Sequence, residues 1–179
     1  AILPKENSVP ETFDGKILVP FCVESELSGV QKPLLPRQRL WYQRNFLVEA
    51  GMSNRVLLHF GAVDDECIVW VNGKQVGEHR GGYLPFTFDI TDSLVDDENE
   101  LTVSVWDPTD TGLQQRGKQV LNPKGIWYTS VSGIWQTVWL EIVPEVSIES
   151  LKLTPDLDSA TLTVEVKVRG EVEGLSMVA

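Results

Sequence analysis

Carboxylates are the most abundant side chains in this chain that could perform acid–base chemistry. Its 179 residues include 26 Asp and Glu against 15 Lys and Arg, which gives a formal net charge of −11. A hydrolytic acid–base pair requires two carboxyl groups placed about 5 to 9.5 Å apart. The acidic runs at residues 64–66 and 96–98 are typical of solvated turns, and no acid stands out as buried beside a partner. The sequence therefore predicts no catalytic carboxylate pair.

Other reactive groups are sparse. The only histidines are His59 and His79, and no Gly-x-Ser-x-Gly or Gly-x-x-x-x-Gly-Lys-Ser/Thr motif occurs. Nucleophilic serine catalysis and phosphate-loop chemistry are therefore not indicated. Cys22 and Cys67 are too few for a disulfide framework or a thiolate metal cluster. We expect no catalytic residue, no metal and no cofactor in this chain.

The net negative charge limits the kinds of molecule that this chain is expected to bind. A strongly acidic chain lacks the basic face that phosphate binding requires, so nucleic acid and anionic membrane surfaces are disfavoured. No apolar run approaches the roughly 20 residues of a membrane span, and no signal peptide opens the chain. Because the chain does not begin with Met, we expect a processed or cut segment of a longer protein. The sequence does not indicate in which cellular compartment the protein is located.

Aromatic side chains offer a binding function instead. An indole face can stack on the C–H face of a sugar ring. Core positions are expected for Trp70, Trp106 and Trp139, which lie in strand-like segments. Trp127 differs because it follows the long segment 107–125 and precedes Tyr128. A segment of that length without apolar periodicity is often functional, so Trp127 is the best candidate for ligand contact.

The elements that must position these groups are β-strands. The chain has 23 Val, 8 Ile and 11 Thr but only 5 Ala, a composition that favours pleated sheet. Alternating apolar residues predict strands with one face in a core and no helix. We expect an all-β fold, a β-sandwich or jelly roll. The predicted strands are 40–48, 55–60, 67–71, 74–79, 86–90, 100–106, 134–142 and 160–168.

Turn signals organise these strands. The Asn72-Gly73 pair between two apolar runs predicts a tight hairpin, since both central residues of a type I′ turn need positive φ. Residues 49–54 are interpreted as a hairpin loop between 40–48 and 55–60. Five prolines in residues 1–39 predict mostly extended coil there. Aromatic residues end before position 145, which predicts a boundary near Pro144.

Read in succession, several segments resemble one known family. Its members are the N-terminal sugar-binding domains of glycoside hydrolase family 2, the family of β-galactosidases, β-glucuronidases and β-mannosidases. The similar stretch covers about residues 11–145. The segments are Ile-Leu-Val-Pro-Phe-Cys-Val-Glu-Ser-Glu-Leu-Ser-Gly at 17–29, Trp-Tyr-Gln-Arg-Asn-Phe at 41–46, and the runs at 58–64, 69–77, 79–91, 99–108 and 125–141.

The resemblance implies a jelly roll of the galactose-binding type over residues 1–145. Residues 146–179 look like the truncated opening strands of an immunoglobulin-like domain. In the family the catalytic glutamates lie in a later barrel, so this chain alone should be inactive. The implied partners are a carbohydrate substrate and the barrel and immunoglobulin-like domain of the same parent chain. The family pattern also begins with a further strand upstream, whose loss would expose sheet edges and favour self-association.

The family's jelly roll lends residues to the rim of the active site. In its galactosidases and glucuronidases an Asp a few residues before a Ser-Gly pair binds the sugar, whereas residues 126–133 hold no acid here. We expect Lys118 and Gln119 to bond substrate hydroxyls instead, and Trp127, beside Tyr128, to stack on the ring. A stand-alone lectin and a β-sandwich assembly module remain the alternatives.

Overall fold

The computed structural model describes residues 1–4, 8–49, 54–171, 173–174 and 176. Within them the chain forms β-strands joined by loops and two short 3-10 turns, at Glu26–Ser28 and Thr91–Ser93. No helix in these ranges is long and apolar enough to span a membrane. The strands are β1 (Ile2–Pro4), β2 (Gln38–Phe46), β3 (Asn54–Phe60), β4 (Val63–Asp64), β5 (Glu66–Val71), β6 (Lys74–Arg80), β7 (Phe86–Asp89), β8 (Asn99–Trp106), β9 (Gln119–Val120), β10 (Tyr128–Thr129), β11 (Gly133–Ile134), β12 (Val138–Pro144), β13 (Ser147–Asp156) and β14 (Thr161–Arg169).

Two antiparallel sheets enclose the core. The larger sheet has the strand order β1-β2-β8-β5-β6, and the smaller has the order β12-β3-β7. Alternate apolar residues of both sheets meet in a single buried cluster, as the period-two pattern predicted. This arrangement confirms an all-β jelly-roll sandwich. Fully buried members of the cluster include Val56, Phe60, Val69, Val71 and Val105.

The Asn72-Gly73 hairpin is confirmed. It joins β5 to β6, and the two residues have φ angles of 51° and 76°. The Asn72 side chain also donates to the carbonyl oxygen of Ser93 and to Oδ1 of Asn99, both at 2.8 Å. The turn therefore anchors a neighbouring loop as well as its own strands.

The hairpin expected between 40–48 and 55–60 is wrong. Strand β2 pairs with β1 and β8, while β3 pairs with β7 and β12, so the two strands belong to different sheets. Alternation shows which face of a strand is buried but not which strand lies beside it. Residues 50–53 of the predicted loop lie outside the described residues.

The tryptophans expected in the core are not fully buried. Trp70 is half-buried against the buried ring of Trp41, at a centroid distance of 5.6 Å. Trp106 is also half-buried, and its indole N–H donates to the carbonyl oxygen of Pro36 at 2.7 Å. Trp139 is 45% exposed, which contradicts the expectation. Its neighbours Val138 and Leu140 turn toward the core, so the alternation of β12 puts Trp139 on the outer face.

The segment after Pro144 forms a separate hairpin of β13 and β14. Within the described ranges these strands pair only with each other. Arg169 at the end of β14 forms an ion pair with Asp89 of the smaller sheet at 3.4 Å. The division at 145 stays a prediction, although a break in pairing lies between β12 and β13.

Gly133 is a position where the fold requires glycine. Its φ is +87°, and a Cβ atom there would meet the Tyr42 hydroxyl and Leu40. We expect Gly133→Ala to lower the free energy of unfolding by about 2–4 kcal/mol, through left-handed strain and overpacking. Gly73, with φ +76° and open space around it, is the matched control. Gly73→Ala should cost about 1 kcal/mol in urea unfolding. Equal losses for the two variants would show that crowding at Gly133 is unimportant.

Candidate functional site

The long segment 107–125 is an ordered loop. Its strand β9 pairs in parallel with β10, and the Tyr128 N–H donates to the Lys118 carbonyl oxygen at 2.9 Å. Asp110 braces the same loop, because its carbonyl oxygen accepts from Arg116 at 2.6 Å and its carboxylate accepts from the Leu121 N–H at 3.1 Å. This pairing brings the backbones of Lys118 and Tyr128 together.

The side chains of this loop differ in accessibility. Lys118 is exposed, and Trp127 and Tyr128 keep 43% and 65% of their surface in solvent. Gln119 is half-buried, and its side-chain oxygen accepts from the Val131 N–H at 2.6 Å. Its side-chain nitrogen lies 3.4 Å from the hydroxyl of Tyr83. Three of the four predicted residues are therefore open to a ligand, while Gln119 already has partners within the protein.

Buried carboxyl groups lie behind this loop. Asp64, Asp65 and Asp107 are each only 3% exposed. The expectation that residues 64–66 form a solvated cluster is therefore wrong for Asp64 and Asp65. The reason lies in distant parts of the chain, since Asp64 belongs to β4, which pairs with β11, and a Cβ atom on Gly82 would strike its carboxyl group.

Burial and mutual repulsion shift the ionisation of these acids. Burial raises the pKa of Asp64 to about 8, with Asp107 and Asp65 adding repulsion and a hydrogen bond from Gln119 opposing it. Burial also raises the pKa of Asp107 and of Glu24. No Lys or Arg among the described residues forms an ion pair with any of these four acids. At neutral pH Asp64 is therefore mostly protonated and can donate a hydrogen bond.

Tyr83 is a site residue that the sequence analysis missed. It is 44% exposed, and its ring lies edge-on to Trp135 at a centroid distance of 6.2 Å. Trp135 is itself fixed, because its indole N–H donates to the Gly82 carbonyl oxygen at 2.8 Å. Burial raises the pKa of the Tyr83 phenol, and the charge of Asp64 raises it further. Only the contact with Gln119, 36 positions away, reveals the role, so no local pattern could have found it.

The arrangement suits hydrogen bonding and stacking. Tyr83, Trp127 and Tyr128 have exposed rings, and backbone pairing and the contact of Gln119 with Tyr83 connect the segments that hold them with Lys118 and Gln119. Such a mixture of aromatic faces and hydroxyl-binding groups is what sugar recognition requires. Among the described residues no group of three or more His, Cys, Asp or Glu is placed to hold a metal ion.

A family model matches residues 24–144, which is most of the chain. The model is described as the sugar binding domain of glycosyl hydrolases family 2. The chain belongs to this family. The matched range contains every predicted site residue together with Tyr83 and the buried acids. It ends at Pro144, so the family match excludes the β13–β14 hairpin.

Curated relatives are glycosidases. A β-galactosidase of Thermoanaerobacter pseudethanolicus is 35% identical over 119 residues, covering 65% of this chain and 15% of the relative. Human β-glucuronidase is 28% identical over 155 residues, covering 73% of this chain and 24% of the relative. The chain thus spans a quarter or less of the length of these two relatives.

Solved structures share the fold. The β-glucuronidase of Faecalibacterium prausnitzii matches with a TM-score of 0.70 and 22% identity, over 94% of this chain and 33% of that one. The β-glucuronidase of Bifidobacterium dentium, solved with coumarin-3-O-glucuronide, matches with a TM-score of 0.57 and 25% identity. That match covers 75% of this chain and 28% of the other. The fold of this sugar-binding domain is therefore that of family 2 structures.

The buried acids generate a pH prediction. Asp64 keeps its proton in the folded state up to about pH 8, whereas its ordinary pKa is 3.8. Between these values the folded state binds more protons than the unfolded state, so the free energy of unfolding falls as pH rises through this window. Asp64→Asn should make that slope shallower by up to about 1.4 kcal/mol per pH unit.

Urea unfolding at four pH values between about 5 and 8 measures the slope. Asp158→Asn is the matched control, because Asp158 lies exposed at the tip of the β13–β14 hairpin. Its slope should equal that of the unaltered chain. If Asp64→Asn also leaves the slope unchanged, Asp64 does not hold a proton in the folded state.

Proposed function

We propose that this chain is the sugar-binding domain of a larger β-glycosidase, which hydrolyses O-glycosidic bonds in carbohydrate metabolism. The domain lines the rim of the substrate pocket, and a catalytic barrel outside this chain performs the chemistry. Family membership and the glycosidase names of the relatives support this proposal. The small share of each relative that the chain spans supports an inactive fragment.

The observation that carries the rim proposal is the pairing of β9 with β10. It presents Lys118, Trp127 and Tyr128 on one ordered loop with their side chains in solvent. A stacking ring beside hydroxyl-bonding groups is suited to one sugar unit. In this proposal Trp127 stacks on the sugar, and Lys118 and Gln119 bond its hydroxyls, with Tyr128 and Tyr83 completing the aromatic wall.

We also propose that residues 146–179 open an immunoglobulin-like domain that follows the jelly roll, residues 1–145. The β13–β14 hairpin supports this, because two strands alone cannot bury a core. One face of the hairpin is apolar and exposed, as expected of strands awaiting the rest of a sandwich. Its exposed apolar residues are Leu151, Leu153, Leu162 and Val164.

Substitution of Trp127 in the full-length enzyme tests the rim. Trp127→Ala should raise KM or lower kcat by about fivefold for the aryl β-glycoside that the unaltered enzyme hydrolyses fastest, because a stacking contact contributes on the order of 1 kcal/mol. Trp127→Phe should keep part of this effect. Leu113→Ala is the matched control, since Leu113 is fully exposed on the same loop. If neither kinetic constant moves in Trp127→Ala, Trp127 does not contact substrate.

Self-association of the isolated chain tests the proposed domain boundary. The exposed apolar face of the β13–β14 hairpin and the open sheet edges should pair copies at high concentration. Light scattering should then give a mass above 20.0 kDa. Leu153→Lys should shift the association toward monomer, whereas Thr154→Lys, on the opposite face, should not. A monomer at every concentration would contradict the prediction.

A further inference from the structure

The side-chain amide of Gln119 has its orientation fixed by its partners. Its oxygen accepts from the Val131 N–H at 2.6 Å. Only the oxygen of an amide can accept from a backbone N–H, so the amide nitrogen occupies the other position, with two N–H groups to donate. This nitrogen bonds the carboxyl group of Asp64 and lies 3.4 Å from the hydroxyl oxygen of Tyr83. Both donors of Gln119 are therefore used inside the protein.

This orientation determines what the Tyr83 hydroxyl can do. An amide nitrogen only donates, so the phenol oxygen is the acceptor in its contact with Gln119. The phenol proton must then point elsewhere. Among the residues that the structure describes, none accepts a hydrogen bond from it. The Tyr83 hydroxyl is therefore a donor without a protein acceptor, on a side chain that is 44% exposed.

The ring that carries this hydroxyl is held by its neighbours. It lies edge-on to Trp135, whose indole N–H donates to the carbonyl oxygen of Gly82, the residue before Tyr83. Gly82 itself lies against the carboxyl group of Asp64, which leaves no room there for a Cβ atom. A ring ordered in this way loses little further conformational freedom when a ligand binds.

The Tyr83 hydroxyl also lies beside the loop of the proposed rim. A Cβ atom on Gly117 would be 3.9 Å from the hydroxyl oxygen. The next two residues are Lys118, which is exposed, and Gln119, which contacts the same oxygen. Folding thus places a donor from a distant part of the chain next to the residues from which the rim is built.

The charges around the phenol indicate the chemistry of its acceptor. Burial raises the pKa of Tyr83, and the charges of Asp64 and Asp107 raise it further, so the phenol keeps its proton at neutral pH. The same acidic groups repel a negatively charged ligand. A neutral oxygen is therefore favoured over a carboxylate or a phosphate, and in the proposed function the neutral oxygens are those of the sugar hydroxyls.

We propose that Tyr83 donates a hydrogen bond to one hydroxyl oxygen of the bound sugar, and that Gln119 is the positioning residue that directs this donor. The inference rests on the proposed function, since it takes the rim as the place where the sugar lies. Gln119 keeps a free acceptor position on its side-chain oxygen, so it can still accept from a sugar hydroxyl. Hydrogen bonds in a chain strengthen one another, so a sugar oxygen on Tyr83 should also shorten its 3.4 Å contact with Gln119.

Kinetics of the full-length enzyme test the donor. The substrates are the aryl β-glycoside that the unaltered enzyme hydrolyses fastest and the analogues of it that each lack one sugar hydroxyl. Tyr83→Phe keeps the ring and should lower kcat/KM by about fivefold, the usual effect of losing one hydrogen bond between neutral groups. With the analogue that lacks the bonded hydroxyl, Tyr83→Phe should cause no further loss.

Gln119→Glu tests the positioning role between about pH 5 and 8. At the higher pH values the introduced carboxylate cannot donate to Tyr83, so kcat/KM should fall about as far as in Tyr83→Phe, with little further loss in the double variant. At the lower values the introduced group gains a proton and can donate again, so the loss relative to the unaltered enzyme should shrink, whereas that of Tyr83→Phe should not. Gln115→Glu, on an exposed residue of the same loop, is the matched control and should leave kcat/KM unchanged. If Gln119→Glu does not fold, Gln119→Met, which also lacks the donor, replaces it in the double variant.

Each other outcome overturns the proposal. An unchanged kcat/KM in Tyr83→Phe, or an equal loss with every analogue, would show that the phenol does not bond a sugar hydroxyl. Additive losses in the double variant, or a loss in Gln119→Glu that persists at low pH, would show that Gln119 does not direct Tyr83. These failures are distinct from a failure of the proposed function, because Trp127→Ala would still alter the kinetics.

Discussion

Ser132 joins three distant parts of the chain through buried polar groups. Its hydroxyl lies 2.5 Å from the Asp107 carboxylate, and its N–H donates to Glu24 at 3.0 Å. Its carbonyl oxygen accepts from the Val23 N–H at 3.4 Å. A carboxylate removed from water is costly unless its hydrogen bonds are replaced, so these contacts must be made together for the sandwich to close. The Tyr42 hydroxyl extends the network by accepting from the Ile134 N–H at 3.1 Å.

This network explains why a long loop can be ordered at the edge of the fold. Asp107 lies at the start of the loop and Ser132 follows its last strand, so their contact closes the loop at its base. Thr109 adds to the closure, since its N–H donates to the Asp107 carboxylate at 2.7 Å. With its ends fixed by buried bonds, the loop can leave Trp127 and Tyr128 in solvent without becoming disordered. The buried hydrogen bonds of Asp107 and Ser132 thus keep the segment that exposes Trp127 and Tyr128 in place.

The features that could be predicted from the sequence are those determined by neighbouring residues, namely strand positions and turn type. Alternation located most strands within two residues, and the Asn72-Gly73 pair located a turn, because face and turn type are local properties. Sequence-based prediction failed where the structure of a segment depends on residues far away in the chain. The sequence predicts that Leu40 and Val56 belong to one hairpin, but Leu40 pairs with β8 and Val56 pairs with β12. The sequence predicts a solvated Asp64 because nothing near it in sequence reveals Gly82, which lies against its carboxyl group, or Gly133, which pairs with it. Lys118, Trp127 and Tyr128 stay predicted site residues, whereas Tyr83, which only its contact with Gln119 adds to them, has no signal in the sequence.

Different interactions hold the exposed rings of Tyr83 and Trp139 in place. Gln119 hydrogen-bonds both Asp64 and the Tyr83 hydroxyl, and burial raises the pKa of Asp64 to about 8, so the ionisation of Asp64 and the order of the proposed rim are linked. On the outer sheet face, Trp139 rests on an imidazole whose partners are exposed side chains within regular strands. Trp139 lies on the edge strand β12, whose backbone pairs with β3 on one side, and its ring is held by stacking on His59. The order of Trp139 therefore depends on neighbouring strands, whereas the order of Tyr83 and Gln119 depends on a buried carboxyl group whose charge changes with pH.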